Sequence, residues 1–205
     1  MIARPTLHIL MILLAWPFFA QSQTTNHGQI LKEALKVKPR LAFGLNNRFS
    51  LVSGQTVRIQ GIYAGIDFDK KLRIILGYNF LKSPVVYTRV NQGVGTTYAV
   101  DLKFIHLMAD YAIKEVDKWQ FNLPVAIGVG SSTQTHLTQV DYFNVFTFEF
   151  GAVATYNVLP WLGIKAGVGE RLCFGQNFAQ LSGPYFSLGL GFYFPEIKRM
   201  IEERI

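Results

Sequence analysis

The chain of 205 residues contains a single cysteine, Cys173. No intrachain disulfide can form, and a cysteine-built metal site is disfavoured. Beyond residue 20 no uninterrupted apolar run approaches the roughly 20 residues that a membrane-spanning helix requires. Charged residues are few, at 16%, and acidic ones fewer still, 13 against 20 basic. No metal-ligand spacing and no phosphate-cradling loop occurs. The G-x-G within V-N-Q-G-V-G-T-T at Val90 to Thr97 lies between strand patterns, where glycine serves as flexible punctuation. What the chain does have is hydrophobicity, 50% of its residues, together with 18 Gly and 17 Phe. High hydrophobicity without a spanning helix points to a closed β-sheet, because hydrocarbon accepts only helices and edge-free sheets.

The N-terminus reads as an export signal. Arg4 precedes an apolar run from Leu7 to Phe19, and Ala20 is followed by polar Gln21-Ser22-Gln23. This predicts a secretory signal peptide over residues 1–20. No cysteine follows it, so no lipoprotein anchor is expected. The formal charge of +7 falls to +6 once Arg4 is removed with the signal. A basic surface suits anionic lipid headgroups or acidic partners, and solubility accounts for it equally well. Nucleic acid does not fit an exported chain. Residues 21–39 then form a leader in which Ile30, Leu31, Ala34 and Leu35 share one helical face and Pro39 ends the helix.

The clearest strand is Tyr185 to Phe194, Y-F-S-L-G-L-G-F-Y-F. Phe186, Leu188, Leu190, Phe192 and Phe194 fall on one face, small or polar groups on the other. Seven earlier segments resemble it, giving expected strands at 40–50, 57–68, 72–81, 97–113, 119–130, 142–158, 161–172 and 183–194. Their connections alternate between short (Asp69-Lys70-Lys71, residues 114–118, Leu159-Pro160) and mostly longer, polar ones. Outer-membrane barrels place short turns on the side of the termini and long loops outside. The expected fold is therefore all-β: an eight-stranded antiparallel up-and-down transmembrane barrel over residues 40–194, with short amphipathic helices at both ends. On the third strand Leu72, Ile74, Leu76, Tyr78 and Phe80 should face outward, with Arg73, Gly77 and Asn79 inward. The second strand breaks phase near Gly61 and the fourth near Phe104-Ile105, which a β-bulge in each would explain. Aromatics at the strand ends, among them Trp119, Tyr156 and Trp161 at one end and Phe49, Tyr142, Phe143 and Tyr185 at the other, suggest two interfacial girdles. Residues 195–205 read as a second amphipathic helix, with Ile197, Met200, Ile201 and Ile205 on its apolar side.

The polar interior expected from the alternation is Arg73, Asp101, Lys103, Glu149, Lys165 and Arg171. So narrow a barrel is filled by its own side chains, and charges inside it must be paired. Two readings stand: a structural plug, or an anion-selective channel given four basic groups against two acidic. Ser131, Ser132 and His136 share one expected loop and His106 lies on the fourth strand, but no acid at a telling spacing accompanies them. No enzymatic activity, cofactor, catalytic residue or metal site is expected. The terminal helices, through Ile30, Leu31, Leu35, Ile197, Met200, Ile201 and Ile205, either cap the barrel or lie on the leaflet, or dock a partner.

The signal peptide, eight alternating segments and the closing strand together resemble the small outer-membrane β-barrels of the OmpA/OmpX-like superfamily. The Gly-rich, Phe-ended strands look most like the "outer membrane protein beta-barrel domain" and PorT-like group of the Bacteroidetes. The resemblance implies residence in the outer membrane of a Gram-negative bacterium, among lipid and lipopolysaccharide. The expected role is a structural or accessory subunit of a larger assembly with a protein partner in the outer membrane or periplasm. A free-standing pore and a lipid A-modifying enzyme are the alternatives. One departure is that many such barrels end at their aromatic closing strand, whereas this chain continues to Ile205.

Overall fold

The computed structural model describes residues 27–52, 55–91, 94–136, 139–175 and 181–193. The expected signal peptide over residues 1–20, Phe194 and the tail 195–205, with Ile197, Met200, Ile201 and Ile205, lie outside the described residues. Among the described residues one helix, α1 (His27–Ala34), precedes nine strands. These are β1 (Arg40–Val52), β2 (Gln55–Phe68), β3 (Leu72–Leu81), β4 (Val85–Asn91), β5 (Val94–Val116), β6 (Trp119–His136), β7 (Gln139–Leu159), β8 (Leu162–Phe174) and β9 (Gly183–Tyr193).

All neighbours are antiparallel. The order β3-β2-β1-β9-β8-β7-β6-β5 returns to β3 through a β3–β5 pairing, so eight strands close into a barrel. The ninth, β4, lies where the sequence suggested a loop. It follows β3 along the same edge of β5, with Phe80 opposite Lys103 and then Val85 opposite Val100, across an interruption at Lys82-Ser83-Pro84. Its sequence V-V-Y-T-R-V-N, like V-G-T-T-Y-A-V opposite, is β-branched and aromatic, and favours a pleated ribbon despite its polarity. β6 and β7 extend likewise, reaching His136 and Gln139.

The opposite end carries tight turns. Lys71 N donates to Phe68 O at 2.9 Å, and Asp69 and Lys70 between them have φ of 51° and 59°. This is the I′ geometry whose twist matches a hairpin. Asp67 Oδ1 accepts from Lys70 N at 2.6 Å and helps to hold it. Helix α1 is tied to this end, where His27 Nδ1 lies 2.8 Å from Tyr111 Oη.

Along the middle of the barrel the exterior is apolar: Leu76, Val129 and Val168 are each about 60% exposed, and Ile62, Leu107, Ile127 and Leu188 are comparable. Such a band is at home in hydrocarbon, not water. The interior accepts large rings only where the facing wall lacks a side chain. A Cβ on Gly77 would sit 2.4 Å from the His106 ring, and one on Gly44 2.2 Å from that of Tyr63.

The phase breaks expected near Gly61 and Phe104 are absent. Register runs unbroken through both, and the recorded shifts lie instead at Ala112/Lys114 and Asn157/Leu159, near the short turns. What changes is the chemistry of each face. Inward residues of β2 run Val57, Ile59, then Gly61, Tyr63, Asp67, while outward ones run Arg58, Gln60, then Ile62, Ala64, Ile66. On β5 the inward set passes from Val100, Leu102 and Phe104 to His106 and Asp110, and the outward set from Asp101 and Lys103 to Ile105 and Leu107. Near the long-loop end the strands are apolar inside and polar outside; below it they are the reverse.

Candidate functional site: a layered, sealed lumen

At the long-loop end the lumen is closed by an apolar plug. Val57, Ile59, Leu81, Val85, Val100, Leu102, Phe104, Val145, Cys173 and Leu181 form one buried cluster, with Tyr87 and Phe143 packed on it. The strands project these residues inward by strict alternation, except Leu181, which comes from the turn before β9.

Next to the plug stands an ion-paired group. Glu149 accepts from Arg48 Nη1 on one oxygen and from Arg171 Nε at 2.6 Å on the other. The Tyr185 ring lies under both guanidinium groups, with centroids 5.5 Å from Arg48 Cζ and 5.6 Å from Arg171 Cζ. Phe104 of the plug lies 5.8 Å from Arg171 Cζ and so joins the apolar and ionic layers. Buried ions tolerate such a place only when paired and further stabilised, as here by hydrogen bonds and aromatic faces.

A second ionic group occupies the short-turn end. Arg73 Nε lies 3.5 Å from Asp67 Oδ2 and 3.4 Å from Asp110 Oδ2. Its Nη2 donates to Gln120 Oε1 at 2.8 Å and its Nη1 to Tyr193 Oη at 3.2 Å. Lys165 Nζ donates to Tyr63 Oη at 2.9 Å. Arg73, Asp67, Asp110 and Gln120 are each at most 4% exposed, so this end too is filled by side chains. Asn46, Asn79, His106, Asn122, Thr147 and Thr155 line the wall beside the two groups, several with buried polar atoms that find no partner among the described residues. Asn79 Nδ2 contacts His106 Nδ1; with the amide as donor, the ring proton resides on Nε2.

Of the six residues expected inside, Arg73, Glu149, Lys165 and Arg171 face the lumen, and Glu149 pairs with Arg171. Asp101 and Lys103 do not. They lie on the outer face of β5, where Asp101 Oδ1 accepts from the Leu102 N–H at 2.8 Å and Lys103 is exposed. The expectation equated polar with inward along the whole strand, whereas at this height the inward neighbours are Val100, Leu102 and Phe104. Tyr185 and Phe143 leave the expected girdle for the same reason, as both face inward. Arg48, Asp67 and Asp110 were missed. Continuing the parity of the apolar residues beside them, Leu45, Ile66 and Leu107, would have placed all three inside.

In α1, Ile30 and Leu31 are half-buried and Ala34 is 2% exposed, whereas Leu35, in the turn that follows, is 49% exposed. The residues weighed for catalysis do not converge. His106 is inside the lumen with Asn79, Ser132 Oγ donates to Asp101 O at 2.7 Å, and the His136 ring packs 5.1 Å from that of Tyr98. Ser132 and His136 share a face of β6 but stand about 13 Å apart at the rise of an extended strand.

No family model matches this chain, and neither does any curated protein. Its fold, however, is that of solved outer-membrane barrels. It is similar to Neisserial surface protein A (NspA), with 12% identity over 75% of this chain and 96% of that one, TM-score 0.53. It is likewise similar to the N-terminal β-barrel domain of Pseudomonas aeruginosa OprF, with 12% identity over 76% and 99% of the two chains, TM-score 0.52. A major outer membrane protein from Thermus thermophilus matches at 12% identity over 77% and 100%, TM-score 0.53.

Proposed function

We propose that this chain is a non-conducting, non-enzymatic barrel of the Gram-negative outer membrane, serving as a structural or accessory subunit of a larger envelope assembly. The observation that carries the reading is the filled lumen. With one ionic group buried at the short-turn end and another beneath an apolar plug at the other, the described side chains fill the interior, which leaves function to the exterior. That weighs against a free-standing pore, and the separation of Ser132 from His136 weighs against a lipid A-modifying enzyme. Kinship with the PorT-like barrels belongs to the same proposal and is supported by the Gly-rich, Phe-ended closing strand.

The contact surface toward a protein partner is the periplasmic end. Docking residues are drawn from Ile30, Leu31 and Leu35 of the leader and Ile197, Met200, Ile201 and Ile205 of the tail. Leu35, exposed among Lys32, Glu33 and Lys36, is the leader residue best suited to meet another chain. The test is mass spectrometry of what copurifies with the tagged protein from its own outer membrane in mild detergent. A stoichiometric larger partner, lost on deleting residues 196–205 or on Leu35→Glu while the barrel still inserts, is the expected result. A barrel recovered alone would overturn the assembly role.

A further inference from the structure

Three basic side chains gather on the outer wall just above the apolar band, all on one side of the barrel. Arg58 and Lys82 are adjacent across β2 and the end of β3, with Lys82 N donating to Arg58 O at 2.9 Å. Lys103 stands opposite Phe80 on β5. All three point outward by strand parity, and Lys82 and Lys103 are exposed. No ion pair is found for any of the three among the described residues. Arg58 is aimed by its neighbours: its Nε and Nη2 donate to Asn47 Oδ1 at 3.2 and 2.9 Å, and its guanidinium lies 5.5 Å from the Phe49 ring centroid. The nearby acid, Asp101, is engaged by the Leu102 N–H.

Directly below, the same strands form a groove of about 590 Å³ in the lipid-facing wall, lined by Phe43, Leu45, Ile62, Ala64, Leu76 and Tyr78 among others. It is a groove because Ala64 stands opposite Phe43 on one side and Leu76 on the other, a small side chain between two large ones. Along β2 the groove begins at Ile62, four residues and so about 13 Å below Arg58. A headgroup held at the basic row would therefore drop an acyl chain into it. Elsewhere at this height the described residues of the rim lack this charge. Lys103 pairs with Ser131 and Ser131 with Asn144, both neutral, and the outward residue of β8 between Phe150 and Pro184 is Glu170.

The geometry points to a binding site for a phosphorylated, multiply acylated lipid of the outer leaflet. Its phosphate is taken by Arg58, Lys82 and Lys103, and one acyl chain by the groove around Ala64. Charge complementarity selects the occupant: clustered cations at the interface suit phosphate, whereas a neutral lipid or an apolar protein helix would use the groove and leave the cations idle. The inference rests on the membrane orientation but not on any assembly role.

The test uses the purified full-length barrel in mild detergent, with bisphosphorylated lipid A as probe and retained lipid measured by native mass spectrometry. One lipid A per barrel should survive detergent exchange. Retention should fall at least tenfold for the same lipid stripped of its phosphates, and for the combined Arg58→Ala, Lys82→Ala and Lys103→Ala variant. Ala64→Phe, which fills the groove without changing charge, should weaken retention several-fold. Should loss of Arg58 impair folding, judged by heat-modifiable electrophoretic migration, the Lys82→Ala/Lys103→Ala pair, on exposed positions, replaces the triple variant. Equal retention by wild type and charge variant would overturn the site. So would equal retention of phosphatidylglycerol, which would reduce it to a general anionic contact, or suppression of lipid A binding by free inorganic phosphate at equal concentration.

Discussion

The upper and middle portions of this barrel are made from the same strands, yet they are built inside out with respect to each other. In the middle, β5 buries His106 and Asp110 and presents Ile105 and Leu107 to the outside; a few residues earlier it buries Leu102 and Phe104 and presents Asp101 and Lys103. The pleat is continuous between them, so the inversion is a change of surroundings and not of backbone. Where hydrocarbon lies outside, apolar groups face out and polar ones must find partners within. Where water lies outside, the strands close on an apolar core as a soluble barrel would. On the proposed outer-membrane reading, the height at which the faces exchange chemistry marks the boundary of the membrane at the long-loop end, just above the His106 layer.

The sharpest way to break the lower region is Glu149→Ala, which leaves Arg48 and Arg171 buried together without their counter-charge. A loss of about 3–5 kcal/mol is expected in urea unfolding from lipid vesicles, followed by tryptophan emission. The upper region should respond to a different change. Leu102→Ala opens the plug and should cost about 2–5 kcal/mol. Lysine on the outer face of the same strand should be costly by about 2–4 kcal/mol at Leu107 near mid-membrane, yet close to neutral at Thr97 beyond the boundary. Equal costs at Leu107 and Thr97 would remove the distinction between the regions. Gly77→Ala, which drives a methyl into the His106 ring, should cost about 1–3 kcal/mol, and Val or Leu there still more. Smallest of all, Tyr142→Ser at a position 77% exposed should stay within about 0.5 kcal/mol.

The barrel could be read from the chain because lipid imposes one simple pattern, polar in and apolar out, on the middle of every strand. The faces of β3, β6, β8 and β9 follow from that pattern alone. The same pattern, carried above the membrane, misplaced Asp101 and Lys103 and turned two continuous strands into bulged ones. Polar alternation such as V-V-Y-T-R-V-N suggests a loop through its turn-compatible Thr and Asn, although its β-branched residues favour the ribbon. Pairing inside the lumen was only partly readable. That Glu149 would meet a cation followed from charge, but that Arg48 supplies one of the two depends on how β1 lies relative to β7 in the closed barrel, and that Tyr185 lies beneath both depends on β9 standing between β1 and β8. The basic row and groove were hidden for the same reason, since Arg58, Lys82 and Lys103 are far apart in sequence and meet only through β2–β3–β5 pairing.

Where membrane ends and water begins along β5 is the point on which the two-region barrel most directly stands. Spin labels placed singly at Thr97, Asp101, Lys103, Ile105, Leu107 and Ala109 in a Cys173→Ala background, with the barrel in lipid vesicles, would locate that point by collision with dissolved oxygen and with a water-soluble nickel complex. Labels from Thr97 to Lys103 should collide with nickel, and those from Ile105 to Ala109 with oxygen, the exchange falling between Lys103 and Ile105. Labels at Asp101 and Lys103 shielded from both probes, as inside a lumen, or oxygen-accessible like their neighbours below, would contradict it.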